Sequence, residues 1–264
     1  MRYSLVKTAV DEPGDRQLAR EAHWLRELES VAELEGQVPR LLEEGVGADG
    51  RHYLVLSIPP ENFGETRAFT RDHARFLASL GKARFRATDF ELSGCGDYLQ
   101  RSLDALKDLS SEREVAPLQA AFDECEAALL YWTGPYVLSQ GDFAPWNIRT
   151  LGAQLFVFDW GHARTDASPL DDVLHYVMIQ KALRSAPIGA PFLRDAMKRA
   201  HDFALQAYPE WSWRPQVIGA LTLVYLLGTI LHHALARRRL DRADAVVGAY
   251  WKLLDRRRAW MPTN

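Results

Sequence analysis

Apolar residues recur at two different periods along this chain, and the change of period divides it. Arg2 to Val10 is short, β-branched and aromatic, which predicts a strand carrying Lys7. The turn-rich run Asp11-Glu12-Pro13-Gly14-Asp15 stops it. From Arg16 to Leu34, the residues Leu18, Ala22, Leu25, Leu28 and Ala32 follow helical spacing, with Asp15 placed as N-cap and Glu21 in the first turns. Leu41 to Val46 and His52 to Ile58 then bracket Gly47-Ala48-Asp49-Gly50, a hairpin signature. Ile58-Pro59-Pro60 favours an extended connector and closes a small α+β lobe.

Beyond the connector, helical periodicity dominates. It covers Arg67 to Leu80, Tyr98 to Leu109, Val115 to Trp132 and Asp171 to Ala182, then Phe192 to Ala207, Val217 to Ala236 and Ala243 to Trp260. One strand–loop–strand insertion is expected at Tyr136 to Asp159. The predicted class is therefore α+β, with a β-rich lobe over 1–58 and a mainly helical lobe over 59–264. No internal repeat or low-complexity segment interrupts this order.

With 264 residues, 47% of them apolar and 25% charged, the chain can fill one large or two modest cores. A net charge of -3 offers no attraction to polyanions, so no nucleic-acid partner is expected. Arg237 to Arg239 and Arg256 to Arg258 read as solvated helix faces. Two cysteines, Cys95 and Cys125, form neither a metal spacing nor a disulfide framework, which fits a reduced, cytoplasmic compartment. The opening M-R-Y-S-L-V-K lacks the pattern of a signal peptide. Val217 to Leu231 is shorter than the ~18 to 20 apolar residues of a membrane span, so it reads as a core helix and no membrane association is expected. His162, His175, His201 and His232-His233 do not have zinc spacing. Trp211 and Trp213, beside Pro209 and Pro215, suit interhelix packing.

The chemistry concentrates in Leu138 to Ala163. Asp142 and Asn147 stand at the two ends of a short loop, and Leu155 to Phe158 forms a buried strand that delivers Asp159. Pro145 keeps Ala144 out of the helical region, while Phe143 and Trp146 are expected to anchor the irregular backbone in a core. Gly152 turns the chain, and Gly161 sits at a mobile-looking bend. Taken singly, Asp142 suits an Asx-turn, Asn147 a loop cap and Asp159 a strand end. Taken together, they supply what phosphoryl transfer asks of a protein: a carboxylate to orient an acceptor hydroxyl and take its proton, and hard oxygens to hold Mg²⁺.

The runs Q-G-D-F-A-P-W-N-I-R, F-V-F-D-W-G and S-P-L-D-D-V-L-H-Y resemble the aminoglycoside phosphotransferase and choline kinase family, small-molecule kinases with a protein-kinase-like fold. The resemblance implies a two-lobed fold with a reduced N-terminal lobe, with ATP and Mg²⁺ as cofactors. The acceptor it implies is a hydroxyl on a small polar metabolite such as a sugar, an amino-alcohol or an aminoglycoside-like molecule. By position, Asp142 resembles the catalytic base and Asn147 and Asp159 the metal ligands. Lys7 resembles the strand lysine that pairs nucleotide phosphates, and Glu21 its helix partner. Leu54 to Ile58, and within it Leu56, Ser57 and Ile58, resembles the hinge beside the adenine. Asp172 resembles the acidic residue that buttresses the catalytic lobe, and Asp166, Asp171 and Asp172 together suggest an acidic lean toward a cationic acceptor.

Two departures are legible. Gln140 replaces the histidine that braces the family's catalytic loop, and an amide can also donate and accept. Six residues precede Lys7 here, where the family places two strands and a loop that covers the phosphates. Gly45-Val46-Gly47 and Gly94-Cys95-Gly96 stand in turn contexts, neither expected to lead into a phosphate-receiving helix. Weak nucleotide affinity is the expectation, and a catalytically impaired pseudokinase serving as a binding or scaffold module is the alternative.

Overall fold

The structure, a computed structural model, describes residues 4–59, 64–184 and 186–262. In chain order it contains β1 (Ser4–Thr8), α1 (Glu12–Glu29), β2 (Leu41–Val46), β3 (His52–Ser57), α2 (Arg71–Ala83), β4 (Phe85–Asp89), α3 (Gly94–Lys107), α4 (Glu112–Leu129) and β5 (Thr133–Ser139). There follow β6 (Ile148–Leu151), β7 (Gln154–Val157), β8 (Arg164–Ala167), α5 (Asp171–Leu183), α6 (Ala190–Ala207), α7 (Pro215–Ala236) and α8 (Ala245–Asp255). Two compact units form, one from Met1–Arg84 with Leu138–Arg164, the other from Phe85–Val137 with Thr165–Asn264.

In the first unit, β1, β3 and β2 make an antiparallel sheet with β3 in the middle. Lys7 lies opposite Leu54, and Leu5 opposite Leu56. The first two residues of the expected strand, Arg2 and Tyr3, and Pro60 of the expected connector, lie outside the described residues. The helix that follows starts earlier than its periodicity indicates. Asp11, not Asp15, is the N-cap, its Oδ1 accepting from Gly14 N at 2.8 Å, and proline in the first turn has φ already set for a helix. The run read as a stop is thus a start, and Glu21 sits in mid-helix rather than in the first turns. The hairpin turn is as expected: Gly47 N donates to Arg51 O at 2.8 Å, and Gly50 takes φ +79°.

A two-stranded hairpin, β6 with β7, turns at Gly152 with φ +59°. Helix α2 starts at Thr70 in a capping box whose fourth member is His73. It buries Phe76, Leu77 and Leu80.

The second unit is mostly helical. Its central helix, α7, packs against α3, α4, α5, α6 and α8 and buries an almost unbroken run from Val217 to Leu227. By length and composition α7 would cross a bilayer, yet most of it is covered by its own unit. Four features differ from the sequence reading. Strands β4 and β8 are additional: β4 pairs with β5, Phe85 opposite Val137, in a sheet ordered β4, β5, β8. Gly94-Cys95-Gly96 opens α3 rather than a turn, with Ser93 Oγ accepting from Gly96 N at 3.0 Å. The start of that helix is occupied by Asp166, whose Oδ2 accepts from Gly94 N at 3.3 Å and from Arg86 Nη2 at 2.6 Å. Asp166 is therefore committed to Arg86 and α3, which removes it from the acidic set expected around an acceptor. Arg257 is likewise not a solvated face residue, since it holds both oxygens of Glu124 at 2.7 Å.

Candidate active site

Every residue assigned by sequence to base, metal or phosphate lysine lies in the first unit. Strand β1 presents Lys7 on the same face as Leu5, Leu54 and Leu56, because directly opposed residues share a face. Lys7 Nζ lies 2.8 Å from both oxygens of Glu21, which α1 carries, and 3.1 Å from Asp159 Oδ1. The Glu21 side chain is 1% exposed, so its charge requires that partner. Burial works against the Lys7 ammonium, but Glu21 and then Asp159 outweigh it and hold its pKa above the usual lysine value. Burial pushes the Glu21 carboxyl up, against the pull of Lys7.

Asp159 follows β7 and takes φ +60°, ψ 66°, a left-handed conformation that aspartate tolerates better than most residues. The next backbone amide, Trp160 N, points at Glu21 Oε1 at 3.4 Å, and the Trp160 ring is fully buried with Nε1 on Val157 O at 3.0 Å. Helix α1 packs directly on the segment Trp160–His162. Gly161 is buried against Gln17, where an added Cβ would lie 2.5 Å from Gln17 Cγ, so this glycine serves close packing rather than a mobile bend.

The loop from Asp142 to Asn147 is closed on itself. Asn147 donates from Nδ2 to the Asp142 carbonyl at 2.9 Å and to Asp142 Oδ2 at 2.8 Å, while Phe158 N donates to the Asn147 carbonyl at 2.9 Å. Phe143 anchors this loop as expected, fully buried and stacked on Phe76 at 5.8 Å with His73 at its edge. Trp146 does not: it is 42% exposed. Its neighbours Pro145 and Asn147 take the buried positions of the turn, so its ring is turned out to water.

Gln140, fully buried, joins the two halves. Its Nε2 donates to the carbonyls of Phe158 at 3.1 Å and Asp159 at 2.6 Å, and its Oε1 accepts from Asp142 N at 2.9 Å. A closed ring of hydrogen bonds results, running Gln140, Asp142, Asn147, Phe158 and back to Gln140, and Asp159 links it to Lys7 and Glu21. Next to it, Gly141 has φ +83°, and a Cβ there would sit 2.2 Å from the His162 carbonyl oxygen.

The donors present suit a hard divalent cation. Asp159 offers a carboxylate that is 33% exposed, and Asn147 offers its amide oxygen because Nδ2 is used on Asp142. Among the described residues no group of three or more His, Cys, Asp or Glu is arranged to hold a metal. Mg²⁺ sites in general take one or two protein ligands beside water and substrate phosphates.

Leu56, Ser57 and Ile58 lie at the end of β3. Leu56 is buried, Ser57 Oγ accepts from Arg40 N at 2.8 Å, and Ile58 is exposed just beyond the strand. Three further residues were not singled out by sequence. Leu5 extends the Lys7 face and is 41% exposed. Gly141 is marked only by its place in Q-G-D. His73, marked only by the T-x-x-H cap pattern, supports Phe143 from behind; burial pushes its pKa down to about 4.

A strand lysine paired to a helix glutamate, beside a loop that carries Asp and Asn and a strand that ends in Asp, defines a kinase-type phosphotransferase class. The profile of the phosphotransferase enzyme family matches residues 6–213, and the chain belongs to that family. Among solved structures, a thermostable aminoglycoside phosphotransferase APH(4)-Ia variant in ternary complex with AMP-PNP and hygromycin B is similar at TM-score 0.63 and 15% identity, over 98% of this chain and 88% of that one. The GDP complex of aminoglycoside 2'-phosphotransferase-IIIa gives 0.57 and 16%, over 97% and 86%. The gentamicin complex of APH(2")-IIa gives 0.55 and 15%, over 95% and 84%. These likenesses establish the fold, protein-kinase-like with an N-terminal sheet and a helical C-terminal portion. No curated protein sequence matches the chain.

Proposed function

We propose that this protein transfers the γ-phosphoryl group of ATP to a hydroxyl of a small polar metabolite. The observation that carries this reading is the continuous hydrogen-bonded network joining Glu21, Lys7, Asp159, Gln140, Asp142 and Asn147. Phosphoryl transfer needs positioning and charge neutralisation more than covalent help, and a network of buried and half-buried hydrogen bonds supplies fixed positions.

In this reading Asp142 orients the acceptor hydroxyl through a carboxylate oxygen and accepts its proton. Asn147 holds that carboxylate in place. Lys7, positioned by Glu21, turns its ammonium to the nucleotide phosphates, and the end of β3 at Leu56, Ser57 and Ile58 lies along the adenine. Asp159 and the Asn147 amide oxygen would hold Mg²⁺. When bound, Mg²⁺ neutralises charge on the phosphate oxygens. Similar folds in complex with AMP-PNP, with GDP, with hygromycin B and with gentamicin support a nucleotide and a hydroxyl-rich acceptor as the two substrates.

Transfer of label from γ-labelled ATP to a panel of sugars, amino-alcohols and aminoglycosides tests the reading, with Asp142→Asn as control. Label transfer that Asp142→Asn does not reduce rejects Asp142 as the base. Thermal unfolding that is unmoved by millimolar ATP with Mg²⁺ favours the scaffold alternative, since a ligand that binds only the folded state must stabilise it.

A further inference from the structure

The one large side chain of the Asp142–Asn147 loop that the fold leaves in water is an indole. Of the eight tryptophans in the chain, Trp24, Trp132, Trp160, Trp213, Trp251 and Trp260 are buried and Trp211 is half-buried, whereas Trp146 is 42% exposed. Exposure here is not a sign of a loose segment. The residues on both sides are buried, Asn147 is tied to Asp142 at 2.8 Å, and the Trp146 carbonyl accepts from Arg149 Nη1 at 3.1 Å. Arg149 is itself fixed by Glu65 at 3.3 Å and lies over the Phe158 ring at 5.4 Å. A backbone tied on both sides therefore holds an apolar ring in solvent, in the same short loop as Asp142 and four residues along it.

We propose that Trp146 is the platform on which the acceptor lies, and that the acceptor is a saturated ring bearing hydroxyl groups, as in a sugar or an aminocyclitol. An indole face carries negative quadrupole charge and attracts positively polarised C–H groups or an ammonium, while its breadth suits a flat, rigid partner better than a flexible chain. Such a ring laid on Trp146 loses little conformational entropy on binding. Its hydroxyls project from the ring edge, where one can reach Asp142. This identification rests on the phosphotransferase reading for its second substrate, but the binding surface itself can be tested separately.

Protein labelled with 5-fluorotryptophan, in the presence of ADP and Mg²⁺, gives ¹⁹F resonances among which Trp146→Phe identifies that of Trp146. Three probes are titrated to tens of millimolar: hygromycin B, methyl α-glucoside and choline. A saturable shift of the Trp146 resonance with either ring-bearing probe is expected, together with a loss of about tenfold in that probe's affinity in Trp146→Ala and its recovery in Trp146→Phe. A resonance unmoved by all three, or moved by choline alone, overturns the proposal. Binding at Trp146 without label transfer from ATP would retain the platform and reject the phosphotransferase reading. Label transfer with an unchanged KM for the acceptor in Trp146→Ala would do the reverse.

Discussion

Gln140 donates a 2.6 Å hydrogen bond to the carbonyl of Asp159, and the same side chain accepts from Asp142 N at 2.9 Å. One buried amide thus fixes the distance between the Asp142–Asn147 loop and Asp159, which follows β7. Gln140→Ala should lower kcat about 10- to 100-fold while leaving KM for ATP much less affected, because it loosens geometry rather than removing a charge. Gln140→His, with one donor and one acceptor, should restore most of the rate. Gln140→Glu sets a buried carboxylate against two carbonyls and should cost about 1–3 kcal/mol or more of stability. Steady-state kinetics with urea unfolding separates these three outcomes.

Removing Lys7 tests the buried pair. Lys7→Met leaves the Glu21 carboxylate enclosed without its cation and should destabilise by about 3–5 kcal/mol near neutral pH. Burial already pushes the Glu21 pKa up, and without Lys7 the opposing pull is gone. An acid whose folded pKa lies above its unfolded value contributes stability below the unfolded pKa and loses it as pH rises through the folded one. The variant should therefore regain stability on acidification from neutral toward the ordinary carboxylate range, and a Tm that fails to rise over that interval rejects the assignment.

His73 predicts the opposite slope. Its pKa falls from the ordinary 6.5 to about 4 because it is buried, and its Nδ1 accepts from Thr70 N at 3.2 Å. A depressed folded pKa gives stability that is complete above 6.5 and lost as pH falls through about 4. The full loss is about 3 kcal/mol on the linkage scale of 1.36 kcal/mol per pKa unit. His73→Phe should flatten that part of the stability profile, read as the difference between the two proteins' chemical-denaturation curves from pH 7 to pH 4.

Two glycines with similar backbone should respond differently to alanine. Gly50 has φ +79° with nothing within 4 Å of an added Cβ, so Gly50→Ala should cost only the left-handed backbone term, about 1–2 kcal/mol. Gly141 has φ +83° and would drive its Cβ to 2.2 Å from the His162 carbonyl oxygen. Gly141→Ala should cost clearly more than Gly50→Ala, above about 3 kcal/mol with the backbone shift included, and should reduce activity as well. Equal losses in Tm would contradict this account.

By itself the sequence determined the local matters. Helical and alternating periodicity located most elements, and the hairpin glycines named their turn. The order Asp142, Asn147, Asp159, with Lys7 on a strand and Glu21 on a helix, was readable because each residue is bound to its element by short-range rules. What it missed is non-local. Strands β4 and β8, Phe85–Asp89 and Arg164–Ala167, have little strand character of their own and are made strands by β5. The start of α1 depended on Asp11 capping across Pro13 and Gly14, a choice that a nearby second aspartate concealed. Only the tertiary structure brought Lys7, Glu21 and Asp159 within hydrogen-bonding distance, gave Gln140 its three partners, committed Asp166 to Arg86, and decided that Phe143 is buried while Trp146 faces water. Those outcomes depend on which surfaces meet after the chain has closed on itself, and no window of neighbouring residues encodes that.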